Sequence, residues 1–204
     1  MTDIRQIADD IYDKEKTKTY RDFVENFEKQ QNAIDTVDYN ATAESQEIYS
    51  KLLADYGIAL SEIKSYKKAI PVLNKSLELI SNNKKYSPET LYKIETYELS
   101  LFKRGLCNYH LDNYELARLD FELLIKHFPN NSIYPKWFNA IKNQNIIRLK
   151  NISWYFVAGA ILIENFLDKT PLLKKITLGF GLIAFIIAIL LETILYLRRR
   201  KYGA

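Results

Sequence analysis

Through the first 150 positions apolar residues recur three and four apart; beyond them they close into nearly unbroken runs. Ile4, Ile7, Ala8, Ile11 and Tyr12 fall on one face of a helix over residues 3–16. Thr17 or Thr19 then caps a second helix, where Tyr20, Phe23, Val24, Phe27, Ile34 and Val37 keep the spacing across a polar gap at Gln30 and Gln31. The two can equally run together as one long bent helix. Ala43 to Ile63 reads as a third helix, and Ser65 caps a fourth over Tyr66–Ile80, with Pro71 inside it to bend it. Ser87-Pro88-Glu89 combines a cap, a proline at the first helical position and an acid in the first turn, so a long helix is expected from Pro88 to His110. A further helix starts at Tyr114, and residues 131–150 form another, carrying Trp137, Phe138 and Ile141.

The apolar runs come last. Residues 152–168 form a short span, largely apolar over 152–167 with Glu164 and Asn165 near its end. Residues 171–197, opening on Pro171, contain Ile176 to Leu197, a stretch of roughly 33 Å as helix against a hydrocarbon core of about 30 Å. Arg198, Arg199, Arg200 and Lys201 follow at once, within a basic tail over 198–204. If both runs cross, the repeat region and the tail share a side; if only the second crosses, the ends face opposite sides. The excess of Arg148, Lys150 and the terminal basic cluster over Lys169, Lys174 and Lys175 decides for two spans, with the repeat region and the C-terminus cytoplasmic. Trp154, Tyr155 and Tyr196, with Arg198, Arg199 and Arg200, are then expected at the membrane interface. Glu164 can reach Lys174 or Lys175, Glu192 lies near Arg198 and Arg199, and Gly159, Gly179 and Gly181 let the spans pack closely.

Charge sharpens this picture. Residues 1–50 carry 6 Lys/Arg against 12 Asp/Glu, residues 51–100 carry 8 against 6, and residues 101–150 carry 8 against 4, so the chain turns basic toward the apolar runs. No basic cluster is interleaved with aromatics along one helix face, which argues against nucleic acid. One cysteine excludes an intramolecular disulfide and a cysteine-based zinc cluster. No phosphate loop, metal-ligand spacing or nucleophile motif is present, so neither a cofactor nor an enzymatic activity is expected.

Two stretches share a pattern. Leu53-x3-Gly57-x2-Leu60 followed by Tyr66-x2-Ala69-x3-Leu73 is matched by Leu101-x3-Gly105 followed by Tyr114-x2-Ala117-x3-Phe121, with Pro129 closing the second copy. Mid-helix glycine costs about 1 kcal/mol relative to alanine, so Gly57 and Gly105 need a packing reason. This pattern resembles the tetratricopeptide repeat. The resemblance implies an all-α fold of stacked α-hairpins, here at 43–81 and 88–130, followed by a transmembrane helical hairpin. It implies that Gly57, Tyr66, Ala69, Gly105, Tyr114, Ala117, Phe121 and Pro129 serve packing between and within repeats, and that residues 131–150 cap the array. The glycines stand 48 residues apart rather than the family's 34, a surplus the long Pro88–His110 helix would absorb. Residues 1–40 are either plain N-terminal helices or a degenerate first repeat.

By the same resemblance, Ala54, Ile58, Glu62, Phe102, Leu106 and Tyr109 line a groove of first helices. The apolar character of Ala54, Ile58, Phe102 and Leu106 argues against clamping a carboxylate and for holding a helix or extended peptide of a partner protein, unless the N-terminal helix with Tyr20, Phe23 and Phe27 fills the groove. The reading is a membrane-anchored repeat scaffold; the alternative is a structural or assembly subunit of a membrane complex.

Overall fold

A computed structural model describes residues 3–166 and 171–202. Every regular element among them is a helix: α1 Ile4–Ile11, α2 Tyr20–Lys29, α3 Gln31–Asp35, α4 Ala43–Glu62, α5 Tyr66–Asn82, α6 Pro88–Leu91, α7 Glu95–His110, α8 Tyr114–His127, α9 Ile133–Phe166 and α10 Pro171–Tyr202. The chain divides into two units, Met1–Tyr134 and Pro135–Ala204.

The first unit is a series of helical hairpins organised on α4. Thr42 starts α4 by accepting from the Ser45 amide at 3.0 Å. Leu52, Ala54, Ala59 and Leu60 of this helix are at most 1% exposed, because α1 and α2 cover one side of it and α5 and α7 the other. α1 presents Ile4, Ile7, Ala8 and Ile11 inward, and α2, opened by a capping box between Thr19 and Asp22, presents Phe23, Val24 and Phe27. The Phe27 ring stacks on Tyr56 at 3.8 Å, and the Tyr56 hydroxyl donates to Glu28 at 2.9 Å. α2 leans on α4 more than α1 does, and α5 leans on α7 more than α4 does. The N-terminal helices thus pack on α4 ahead of the two central hairpins.

The two central hairpins share their turn. Lys64 and Asp112, at φ 64° and 62°, are the residues other than glycine described with left-handed backbone. Beyond each, an amide reaches back five residues: Ser65 to the Leu60 carbonyl at 2.8 Å and Asn113 to the Asn108 carbonyl at 2.9 Å. This is the 6→1 bond of a Schellman ending. Both turns lie seven residues beyond the mid-helix glycine. Identical closure at the same offset marks a structural repeat. Pro71 lies inside α5 without ending it.

The expected long helix from Pro88 to His110 is not formed. Ser87 and Pro88 do start a helix, α6, but it stops at Leu91, and extended Ile94 (ψ 113°) precedes α7. Tyr92 at the break stacks on His127 at 3.4 Å and meets Tyr97 edge-on at 5.6 Å, contacts that hold the break in place. The 48-residue period thus accommodates its surplus as an inserted turn of helix, and α7 keeps an ordinary 16-residue length. Asn83, 1% exposed, ties this insertion down: its side-chain amide donates to the Ala43 carbonyl at 3.0 Å, and its carbonyl oxygen accepts from the Lys85 amide at 2.9 Å.

In the second unit α9 and α10 run antiparallel. Ala160 faces Gly181, Trp154 meets Phe185 edge-on at 5.9 Å, Lys150 pairs with Glu192 at 3.0 Å, and Arg198 donates to Asn143 at 2.9 Å. Both helices are long and apolar enough to cross a membrane, over Ile133–Asn165 and Lys174–Arg198. Thr170, placed by the sequence to cap the helix that Pro171 opens, lies outside the described residues.

Candidate functional site

The repeat glycines stand where helices touch. A methyl carbon at Gly57 would fall 2.7 Å from both Cγ and Cδ2 of Leu73, and one at Gly105 would fall 2.9 Å from the Phe121 ring and 3.3 Å from Asp120 Cβ. Ala69, Leu73, Ala117 and Phe121 are all fully buried across these contacts. Tyr66 stacks on His110 at 4.7 Å, linking one hairpin to the next, and Tyr109 meets both His110 and Tyr114 edge-on. Pro129 is exposed in the loop after α8.

The six residues expected to line an apolar groove of first helices are not brought together as an open surface. Ala54 and Ile58 are 0% and 8% exposed, so no partner reaches them in this conformation. Ile58 belongs to the core shared with Phe23, Val24 and Phe27, and Phe102 is half-buried between the rings of Phe121 and Tyr134. Glu62 is ion-paired with Lys103; Leu106 and Tyr109 are half-buried. Of the two occupants the sequence left open, the N-terminal helices are the ones that lie against α4. Tyr12 at the end of α1 donates to Asp55 of α4, and burial raises both the tyrosine and the carboxyl above their usual ranges.

An open cleft lies instead where α5, α7 and α8 meet. Its volume is about 660 Å³, and Ile70, Leu116, Leu119 and Leu123 form its apolar walls. Leu116 and Leu119 are 55% and 50% exposed, and with Leu123 they follow a helical i, i+3, i+7 spacing. The floor is polar and fixed. Arg104 grips Asp120 through two nitrogens, with Nε to Oδ2 at 3.0 Å, and donates to Asn74 at 2.9 Å. Asp120 is 3% exposed; burial pushes its carboxyl up and Arg104 pulls it back. Sequence reading missed this cleft because Asp120 and Arg104 look like ordinary surface charges. The signal available was the exposed leucine spacing on α8, offset from the Ala117–Phe121–Leu124 face.

In the second unit the interface residues separate. Tyr155 and Tyr196 are 76% and 64% exposed, and Trp154 lies against Phe185. That register puts Tyr196 about 17 Å further along α10 than Phe185 beside Trp154. Residues 143–150 of α9, a stretch that mixes polar and apolar side chains ahead of the long apolar run, face residues 192–198 of α10. Glu192 consequently pairs with Lys150 rather than with Arg198, which is held by Asn143; Arg200 is exposed, and the Arg199 side chain lies outside what is described. Only Gly181 of the three glycines packs helix on helix, since Gly159 and Gly179 face open space. Glu164 forms no described ion pair with Lys174 or Lys175; its Oε2 is buried without a hydrogen-bond partner among the described residues. Also among the described residues, no three His, Cys, Asp or Glu side chains converge as a metal site, and Cys107 is a buried free thiol that burial pushes up.

No family model and no solved structure matches the chain. It is 32% identical over 83 residues to the human peptidyl-prolyl cis-trans isomerase FKBP4, a match covering 40% of this chain. The chain spans only 15% of that relative's length, so the shared part is a segment and not the whole protein. What stands is an all-α chain of helical hairpins followed by two helices long enough to cross a membrane.

Proposed function

We propose that this protein is a membrane-anchored scaffold of tetratricopeptide-like repeats that holds a partner protein on the cytoplasmic face. The observation that carries this is the cleft between α5, α7 and α8, whose exposed leucine ridge stands beside an immobilised Arg104–Asp120 pair. Paired exposed leucines around a polar fixed point suit a partner helix that lays its own apolar face along α8. The hairpin turns and glycine contacts support the repeat reading, and the two apolar helices support the anchor. The basic cluster after Leu197 supports a cytoplasmic C-terminus on the same side as the repeats. We read the chain as non-enzymatic; an isomerase activity does not carry over from a segment match. Held at a bilayer, a partner site gains effective concentration for anything else on that membrane.

Proximity labelling from the first unit, in cells carrying the full chain, tests the reading. Leu116→Ser with Leu119→Ser removes the ridge at exposed positions and leaves the fold intact. Loss of a specific set of labelled neighbours, with membrane association unchanged, is the expected result; an unchanged set refutes the cleft as the site. Reporters at both termini and between the two apolar helices check sidedness, with the termini expected together and the middle reporter opposite.

A further inference from the structure

The two acidic residues inside the apolar helices are treated unequally. Glu192 meets Lys150 at 3.0 Å. Glu164 has a buried oxygen and no partner among the described residues, within a groove of about 350 Å³ walled by Val157, Leu178, Leu182 and Phe185. A polar group left unpaired in a hydrocarbon setting is costly, and ionisable residues within spans pair with one another as a rule. Complementary charge is close in depth. Leu178 stands beside Glu164 in the groove wall, and Lys174 and Lys175 lie one helical turn from Leu178, exposed and without a described ion pair. Neither lysine lines the groove, so the fold of one chain brings the charges within about one helical turn in depth without joining them.

We infer that two copies of this chain associate side by side in the membrane about a two-fold axis along the bilayer normal, the Glu164 carboxyl of each meeting Lys174 and Lys175 of the other. Such an axis preserves depth, so each carboxyl finds the other copy's lysines about one turn away, a span that the long lysine side chains bridge, and the dimer gains two sets of pairs. Next to Leu178, Gly179 has open space where a side chain would stand, which leaves the neighbouring backbone free to approach. The inference rests on both helices crossing the membrane but not on the partner-binding role of the repeats.

Energy transfer between copies, measured while full-length protein is diluted with lipid in liposomes, tests it. Glu164→Gln, and Lys174→Gln with Lys175→Gln, are each expected to weaken association about tenfold, in line with hydrogen bonds between membrane helices. Glu164→Lys alone, and Lys174→Glu with Lys175→Glu alone, are expected to be monomeric; mixed together, the two variants are expected to associate again. Wild-type protein that stays monomeric at every dilution overturns the inference, as does a dimer indifferent to these changes, which would assign the groove to lipid or to another protein's helix. Extraction with alkaline carbonate separates the failures. Release of the wild type removes the membrane reading and this inference together, whereas retention of a monomer removes this inference alone.

Discussion

Adding one methyl group at Gly57 sets two opposing terms against each other. Alanine is favoured over glycine in a helix interior by about 1 kcal/mol, so at an open site Gly57→Ala would stabilise α4. Here the new carbon would lie 2.7 Å from Leu73 Cγ, an atom at the root of the side chain's branch, and 3.4 Å from the Leu73 backbone nitrogen. Leu73 is 0% exposed, so it has no empty space to swing into. Overpacking of this kind costs roughly 1–3 kcal/mol, so the propensity gain is cancelled or exceeded, for a net loss of about 0–2 kcal/mol. Pulse proteolysis of the full chain in detergent across a urea series measures it, and hydrogen exchange of peptides from residues 43–82 locates it. Leu73→Ala alone costs about 2–5 kcal/mol through the cavity it leaves, but combined with Gly57→Ala the loss should be less than additive, because the methyl group fills part of that cavity. Stabilisation by the full propensity gain, or strict additivity in the double variant, would mean that α4 and α5 do not approach as described. Gly105→Ala should be destabilising for the same reason, since the 2.9 Å contact is with the ring of Phe121, which is likewise 0% exposed.

Arg104→Ala leaves Asp120 buried without its two donors and should cost about 3–5 kcal/mol, while Arg104→Lys recovers only part because a lysine cannot bridge both oxygens; urea midpoints of the three proteins decide this. Acid should loosen the inserted segment: hydrogen bonding from Lys85 and Tyr86 holds Glu47 below its usual range, so its stabilising contribution is present above about pH 4.3 and is lost as pH falls through the lowered value. In alkali the sign reverses, because burial and the Glu47 hydrogen bond push Tyr86 up to about 12, and the contribution is lost between ordinary tyrosine ionisation near pH 10 and that value. Exchange rates of residues 83–94 against pH, compared with Glu47→Gln, report both limbs; an acid limb that survives in the variant would place the titrating group elsewhere.

Much of the fold could be read from residue order because it depends on spacing. The i, i+3, i+4 pattern marks α1, α2, α4, α5 and α8, and the glycine–alanine offsets mark the two central hairpins. What escaped reading depended on contacts distant in sequence. Ser87-Pro88-Glu89 announces a helix correctly but says nothing of where it ends, which is set by Tyr92 finding His127. Asn83 looks like any loop asparagine until its amide reaches Ala43, forty residues earlier. The groove residues were misplaced for a related reason. Periodicity shows that Ala54 and Ile58 share a face, but not that α1 and α2 lie over α4. Phe23 and Phe27 carried that possibility without deciding it. In the apolar helices, composition shows length and not register, and register alone pairs Glu192 with Lys150.

The dependence of the N-terminal helices on α4 has a consequence in time. Ile4, Ile7 and Ile11 are made first, yet the residues that shield them, from Tyr49 to Ile58, follow some forty positions later. Over that interval the growing chain carries a greasy helix with only the short α2 and α3 to settle on. A message interrupted before α4 would yield a sticky fragment, whereas one interrupted after α5 would already have sheltered its beginning. Synthesis therefore runs a risk early and discharges it midway, well before the apolar helices reach the ribosome exit.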